Sequence, residues 1–222
     1  MIHQLDHRLW FPDPARSLRD GLVAVGGDLS VDRLVLGYRS GVFPWTEDPV
    51  TWWSPDPRAV FGLGPGEGGF HIPRSLARTL RKGAFTVTFD QDFAGVIRAC
   101  AEVSRDDDAT WITPGFIAAY TALHRAGHAH SVEVRQGDTL VGGVYGVAVG
   151  GFFAGESMFH RATDASKVAL ACLVDRLRSR GFALFDTQMV TPVTRSLGAT
   201  EIPRPEYLRR LAVAVDLPCR FG

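Results

Sequence analysis

Apolar positions along the chain fall into two periods, and their alternation lays out the elements. Leu34, Val35 and Tyr38 recur at helical spacing, with Gly41 just beyond, which predicts a helix from Ser30 or Val31 to Arg39. Pro73 to Lys82 reads as a second helix, closed by Gly83. Phe85 to Phe89 alternates as a strand, and Asp90 is placed to cap a helix with Phe93, Val96, Ile97 and Cys100 on one face. Thr113-Pro114 opens a further helix that turns Phe116, Ile117, Tyr120 and Leu123 inward. Three strand-like segments follow, Ser131 to Arg135, Thr139 to Val149 and Phe152 to Phe159, joined by turns at Gln136-Gly137-Asp138 and Gly150-Gly151. A helix from Asp164 to Arg180 groups Leu170, Leu173, Val174 and Leu177 and stops at Gly181. Leu184 to Val190 reads as the last strand and Pro203 to Val213 as the last helix.

The predicted class is α+β, with a mixed, largely antiparallel central sheet. Before residue 62 the chain is dense in turns and aromatics, among them Trp10-Phe11-Pro12, Gly26-Gly27-Asp28 and Trp52-Trp53. A small N-terminal α/β domain is therefore expected over 1–62, a glycine-rich linker over 63–70 and a larger domain over 71–222. Gly64, Gly66 and Gly69 satisfy G-x-G-x-x-G. Phe70-His71-Ile72-Pro73 separates them from the next helix, unlike a dinucleotide loop, which opens directly into one.

Composition narrows the function. The chain has 222 residues, with 24 basic and 24 acidic side chains for a net charge of +0, so contact with nucleic acid must come from a local patch. The longest uninterrupted apolar stretch, Val168 to Val174, is too short to span a membrane, and no signal peptide is evident. Cys100, Cys172 and Cys219 are scattered without a C-x-x-C pair, which fits a reducing, cytoplasmic setting. His124, His128 and His130 cluster in sequence without a nearby carboxylate or cysteine to complete a metal set. Gly155-Glu156-Ser157-Met158-Phe159 lacks the closing glycine of a nucleophile elbow, and no P-loop is present.

Three features carry chemistry. Arg74, Arg78, Arg81 and Lys82 fall within about 100° of one another on their helix, opposite Leu76 and Leu80. Such a stripe is either a solvated face or a grip on phosphates. On the last strand Asp186 and Gln188, two residues apart, should project to the same side beside apolar Leu184 and Phe185. A carboxylate there needs a partner or a purpose, and Glu156 between Phe153 and Met158 poses the same question. Two such acids suggest a pocket that welcomes a cation. Finally, Trp52, Trp53 and Trp111 look exposed enough to stack on an unpaired base.

Gly26-Gly27-Asp28-Leu29-Ser30, Gly41-Val42-Phe43-Pro44-Trp45, Trp52 to Arg58, Thr110-Trp111-Ile112-Thr113, Gly127 to Ser131, Gly155 to Phe159, Ala165-Ser166-Lys167 and Ser196 to Ala199 follow one another in order. This colinear set, from about Phe11 to Leu211, resembles the bacterial leucyl/phenylalanyl-tRNA–protein transferases. The resemblance implies a small N-terminal domain followed by an acetyltransferase-like (GNAT) domain. It implies transfer of Leu, Phe or Met from aminoacyl-tRNA to the N-terminal amine of proteins beginning with Arg or Lys, which marks them for degradation under the N-end rule. No cofactor or metal is implied, and the enzyme is expected to act as a monomer.

By the same resemblance, Asp186 serves as proton acceptor or amine anchor and Gln188 as an orienting relay, and Glu156 with Asp186 draws the acceptor's basic side chain. Trp52, Trp53 and Trp111 hold the terminal adenosine, with the adjacent pair unranked. Arg74 to Lys82 takes the acceptor-stem phosphates. Val144, Phe153, Met158, Leu170, Leu173, Leu177 and Phe185 are candidates for the donor side-chain pocket, although each alone reads as ordinary core. The chain departs from the family pattern at Val193, Arg135 and His160, where His, Trp and Ser are usual, and these bear on acceptor or donor preference. Two other readings compete: an acyl-CoA-dependent N-acetyltransferase, which His160-Arg161-Ala162-Thr163 opposes for lack of a glycine-rich pyrophosphate turn, and a non-catalytic aminoacyl-tRNA-binding protein.

Overall fold

The computed structural model describes residues 2–64, 69–103 and 110–222. Residues 65–68 of the glycine-rich linker and the Asp106-Asp107-Asp108 run lie outside the described residues. In chain order the elements are β1 (His3–Leu5), β2 (Leu22–Gly26), α1 (Val31–Ser40), β3 (Phe43–Glu47), β4 (Val50–Trp53) and β5 (Arg58–Phe61). Then come α2 (Arg74–Lys82), β6 (Thr86–Phe89), α3 (Phe93–Glu102), α4 (Pro114–Arg125), β7 (Ala129–Gln136), β8 (Thr139–Val149) and β9 (Phe152–His160). The chain closes with α5 (Ala165–Ser179), β10 (Leu184–Gln188), α6 (Pro192–Ser196), β11 (Thr200–Ile202) and α7 (Arg204–Ala214).

Among the described residues the strands form two sheets, a four-stranded one in the order β1-β2-β4-β3 and a seven-stranded one in the order β11-β5-β10-β9-β8-β7-β6. In the larger sheet β9 and β10 run parallel and the other neighbours antiparallel, as the α+β reading expected. The long hairpins β7–β8 and β8–β9 form because β-branched and aromatic residues alternate between two buried faces. Helices α2 and α5 cover one face, packing Leu76, Leu173 and Leu177. Helices α1, α3, α4 and α7 cover the other through Leu34, Ile97, Phe116 and Leu211. Each buried leucine contributes roughly 1.5–3 kcal/mol by transfer alone.

Three expectations need correction. β5 lies within the stretch assigned to the N-terminal domain, yet all four of its residues are buried in the larger sheet between β10 and β11. The chain therefore crosses into the larger sheet before residue 58. The cap of α3 is Asp92, which accepts from the Gly95 N–H at 2.9 Å. Asp90 instead takes a left-handed backbone (φ 57°) and accepts from the Ser131 N–H. Strand β10 stops at Gln188, short of Val190, because Gln188 is itself left-handed with φ 62°. The starts of α1 at Val31 and of α4 at Thr113-Pro114 and the stops at Gly41 and Gly83 fall where the sequence placed them.

Candidate active site

The end of β10 builds the site. Asp186 is fully buried and faces Arg58 of β5, whose Nε lies 3.0 Å from both carboxylate oxygens and whose Nη2 lies 2.7 Å from Oδ2. The Tyr207 hydroxyl of α7 donates to Oδ2 at 2.9 Å, and the Gln188 backbone N–H donates to Oδ1 at 2.7 Å. That last bond closes a turn over Thr187 and stabilises the left-handed Gln188, so β10 shifts register against β5 at this point. The consequence corrects the strand reading. Gln188 lines a cavity and Asp186 does not, so carboxylate and amide do not point together. Asp186's charge is already met, and its oxygens are occupied by protein donors.

The cavity holds about 250 Å³ between β3, β8, β9, β10 and α5. Val144, Met158, Leu170 and Phe185, four of the seven donor-pocket candidates, form its apolar wall. Phe153, Leu173 and Leu177 do not reach it. They are buried in the core on the same side of the sheet, where Phe153 packs edge-on against Phe185. Gly155 also lines the cavity, and a Cβ there would come within 3.1 Å of the Phe185 ring.

Glu156 and Gln188 supply the polar end, with the Gln188 Nε2 donating to Glu156 Oε1 at 2.9 Å. Burial pushes the Glu156 carboxyl up to about 7. Hydrogen bonds from Tyr38, Tyr120 and Gln188 oppose that shift, and the charge of Asp186 adds to it. A carboxyl poised near neutrality at the edge of a cavity is equipped to accept a proton.

The aromatic expectations divide. Trp52 is fully buried, donates from Nε1 to the Gly26 carbonyl at 3.0 Å and packs edge-on against Phe11. It is core, and its apparent exposure was wrong. The half-buried Trp53 donates to Thr51 Oγ1 and stands behind Trp45, with ring centroids 6.4 Å apart. Trp111 lines the cavity, and Trp45, with 36% of its surface exposed, lines it from the opposite element. A second cleft, bounded by Trp45, Glu47, Asp48, Trp111 and Thr113, adjoins the first. Trp45 stood in the Gly41-to-Trp45 motif but received no chemical reading, because a lone tryptophan after Phe-Pro has no distinguishing spacing.

On α2, Arg74, Arg78, Arg81 and Lys82 are all exposed while Leu76 is buried, and among the described residues none of the four pairs with a carboxylate. Thr79 of α2 donates to Asp164, which also pairs with Lys167 of α5, so the basic helix is fastened to the helix that gives Leu170 to the cavity. Of the three departures, Arg135 pairs with Asp92 at 2.8 Å, the partly buried Val193 packs against the core, and His160 is exposed. His124 and His130 bond the Ala129 carbonyl and Asp90, and no group of three metal-ligating side chains forms among the described residues.

The family described as leucyl/phenylalanyl-tRNA protein transferase matches residues 66–212, and its N-terminal domain matches residues 27–56. The chain is 56% identical over 214 residues to the leucyl/phenylalanyl-tRNA–protein transferase of Syntrophobacter fumaroxidans, covering 95% of this chain and 90% of that one. The chain belongs to the leucyl/phenylalanyl-tRNA protein transferase family. A second relative of the same name, from Pseudomonas syringae pv. syringae, is 54% identical over 94% of this chain and 91% of its own. Among solved structures, a GCN5-related N-acetyltransferase from Kribbella flavida aligns over 76% of this chain and 59% of its own, with TM-score 0.40 and 14% identity. Within the transferase family match fall the basic helix α2, Trp111, Glu156, Asp186 and Gln188, and within its N-terminal match fall Tyr38 and Trp45. No helix among the described residues is long and apolar enough to cross a membrane.

Proposed function

We propose that this protein transfers a leucyl, phenylalanyl or methionyl group from aminoacyl-tRNA to the α-amine of a protein beginning with Arg or Lys. The observation that carries this reading is the apolar cavity of about 250 Å³ that ends on the hydrogen-bonded Gln188–Glu156 pair. The donor side chain occupies the wall of Val144, Met158, Leu170 and Phe185. Such a wall separates side chains differing by one methylene by only about 1–3 kcal/mol, which suits a relaxed choice among Leu, Phe and Met.

The donor ester is already activated, so the protein's task is to hold the amine against the ester carbonyl and manage one proton without ATP, metal or cofactor. Gln188 Oε1 accepts an N–H of the incoming amine while its Nε2 stays on Glu156. As the C–N bond forms and the C–O bond to the ribose breaks, the amine proton passes to Glu156 and then to the departing ribose oxygen. Asp186 is a positioning residue in this scheme, because it lies off the cavity that Glu156 lines and its charge is paired with the Arg58 cation. Glu156 alone then attracts the acceptor's basic side chain. Trp45 and Trp111 take the terminal adenosine, with Trp53 behind Trp45, and Arg74, Arg78, Arg81 and Lys82 take the acceptor-stem phosphates. The setting is a cytoplasmic monomer that marks its acceptors for N-end-rule degradation.

The test mixes purified protein with radiolabelled Leu-tRNA and a peptide beginning with Arg, without ATP or metal. Label should reach that peptide and not one beginning with Gly. Absence of label with tRNA binding intact would overturn the reading and make acetyl-CoA the next donor to try.

A further inference from the structure

Glu156 is met from behind by two tyrosines that come from distant parts of the chain. Tyr38 projects from α1 and is 2% exposed, and Tyr120 projects from α4 and is fully buried. Their hydroxyl oxygens lie 2.5 Å apart, and Tyr120 donates to Glu156 Oε2 at 3.2 Å. Gln188 Nε2 holds the other carboxylate oxygen. The donor count favours an anion here. One hydroxyl proton and one amide proton reach the carboxylate, and the second hydroxyl supports the first. Protonating Glu156 adds a further donor to the same atoms, so one hydroxyl must turn away inside a packed core.

We infer that Tyr38 and Tyr120 are positioning residues for the transfer: their coupled hydroxyls prop the Glu156 carboxylate in its ionised form and hold it against Gln188. The inference rests on Glu156 being the proton acceptor. It also gives the segment before β3 a part in the chemistry, since Tyr38 lies on α1, which ends at Gly41. The remaining groups around Glu156 are Asp186 from β10, Arg58 from β5 and Tyr207 from α7. Asp186 opposes the anion on Glu156, but it is itself paired with Arg58. Burial drives both Tyr38 and Tyr120 well above the ordinary tyrosine value, so each keeps its proton throughout the range in which Glu156 titrates. Neither serves as a base, and Tyr120 donates to Glu156 while its hydroxyl oxygen is bonded to that of Tyr38.

The experiment is kcat against pH for the wild type, Tyr120→Phe and Tyr38→Phe, with Leu-tRNA and an Arg-initiated peptide. Loss of a hydrogen bond to a charged group should move the acid limb upward by about one pH unit, hence about tenfold lower kcat near pH 6 and nearly equal rates at pH 8.5. KM for both substrates should stay put. A loss by the same factor at every pH, or an unmoved limb, overturns the inference and leaves the tyrosines as ordinary core. Glu156→Gln separates the two levels. If it keeps the wild-type limb, Glu156 is not the acceptor. If it abolishes the limb while Tyr120→Phe leaves it in place, only the inference about the tyrosines fails. Should a variant fold poorly, the titration of the ¹³C-labelled Glu156 carboxyl in folded Tyr120→Phe, followed by NMR, must still move upward.

Discussion

Arg58 and Asp186 stand on neighbouring strands, β5 and β10, and meet in a bidentate ion pair that excludes water from both partners. Tyr207 and the Gln188 N–H complete the shell of the carboxylate, and the Gly41 carbonyl accepts from Arg58 Nη1 at 3.2 Å. Removing one partner leaves a buried charge without its counter-ion, which typically costs about 3–5 kcal/mol, whereas replacing both can be nearly neutral. Arg58→Met should therefore lose about that much in urea-unfolding free energy, and Arg58→Met with Asp186→Asn should recover most of it. Additive losses would mean that the pair is not the coupled unit its geometry describes.

Glu156 makes an opposite prediction about stability. Its carboxyl titrates near 7 in the fold against about 4.5 in the unfolded chain. The folded state thus holds more protons between those values, and stability contributed by the neutral carboxyl drains away as pH rises through that window. Glu156→Gln removes the ionisation. Its stability should match the wild type near pH 4, exceed it progressively as pH rises to 7, and level beyond, with a difference of up to about 3 kcal/mol. Calorimetry at pH 5 and pH 8 decides it. A variant less stable than the wild type at pH 8 would show that the hydrogen bonds lost outweigh the charge relieved.

The sequence made the long, periodic elements legible and left the short, turn-bound ones opaque. Helices α1, α2, α4 and α5 and strands β7 to β9 carry enough periods for their faces to be read within a residue or two. Strands β1, β3, β5 and β11 run three to five residues between turns and show no period at all. The site follows the same rule. Glu156 and Gln188 stood out as polar residues on apolar strands, but Arg58 read only as the end of a Trp-Trp-Ser-Pro motif, because its partner lies 128 residues away. Strand alternation also misplaced Asp186 relative to Gln188, since a single left-handed residue undoes the period. Trp52 and Trp53 could not be ranked without knowing which of two adjacent rings faces the core.

That ranking has a measurable counterpart at Trp45 and Trp52. Trp45→Ala removes a half-exposed ring from the cavity mouth and should raise KM for Leu-tRNA about tenfold or more with little change in Tm, as expected when a stacked base loses about 1–3 kcal/mol. Trp52→Ala removes a fully buried ring and should cost about 3–5 kcal/mol of stability. Its KM, measured at a temperature where the variant stays folded, should be nearly unchanged. The reverse pattern would move the adenosine to the far side of β4.

The phosphate grip proposed for the basic face of α2 has a direct test in its salt dependence. Arg74 and Arg78 are exposed and, among the described residues, unpaired, so a phosphate bound to either displaces counter-ions rather than an internal carboxylate. Each contact then contributes close to one unit to the slope of log K against log salt. Replacing both with Ala should weaken binding to every tRNA alike and flatten that slope by about 1–2, with kcat for bound donor preserved. Filter binding from 50 to 300 mM KCl measures the slope. If affinity falls while the slope stays the same, the two arginines support α2 without touching phosphate. If neither moves, the acceptor stem lies on another face, and the Thr79–Asp164 bond that fastens α2 to α5 serves the fold alone.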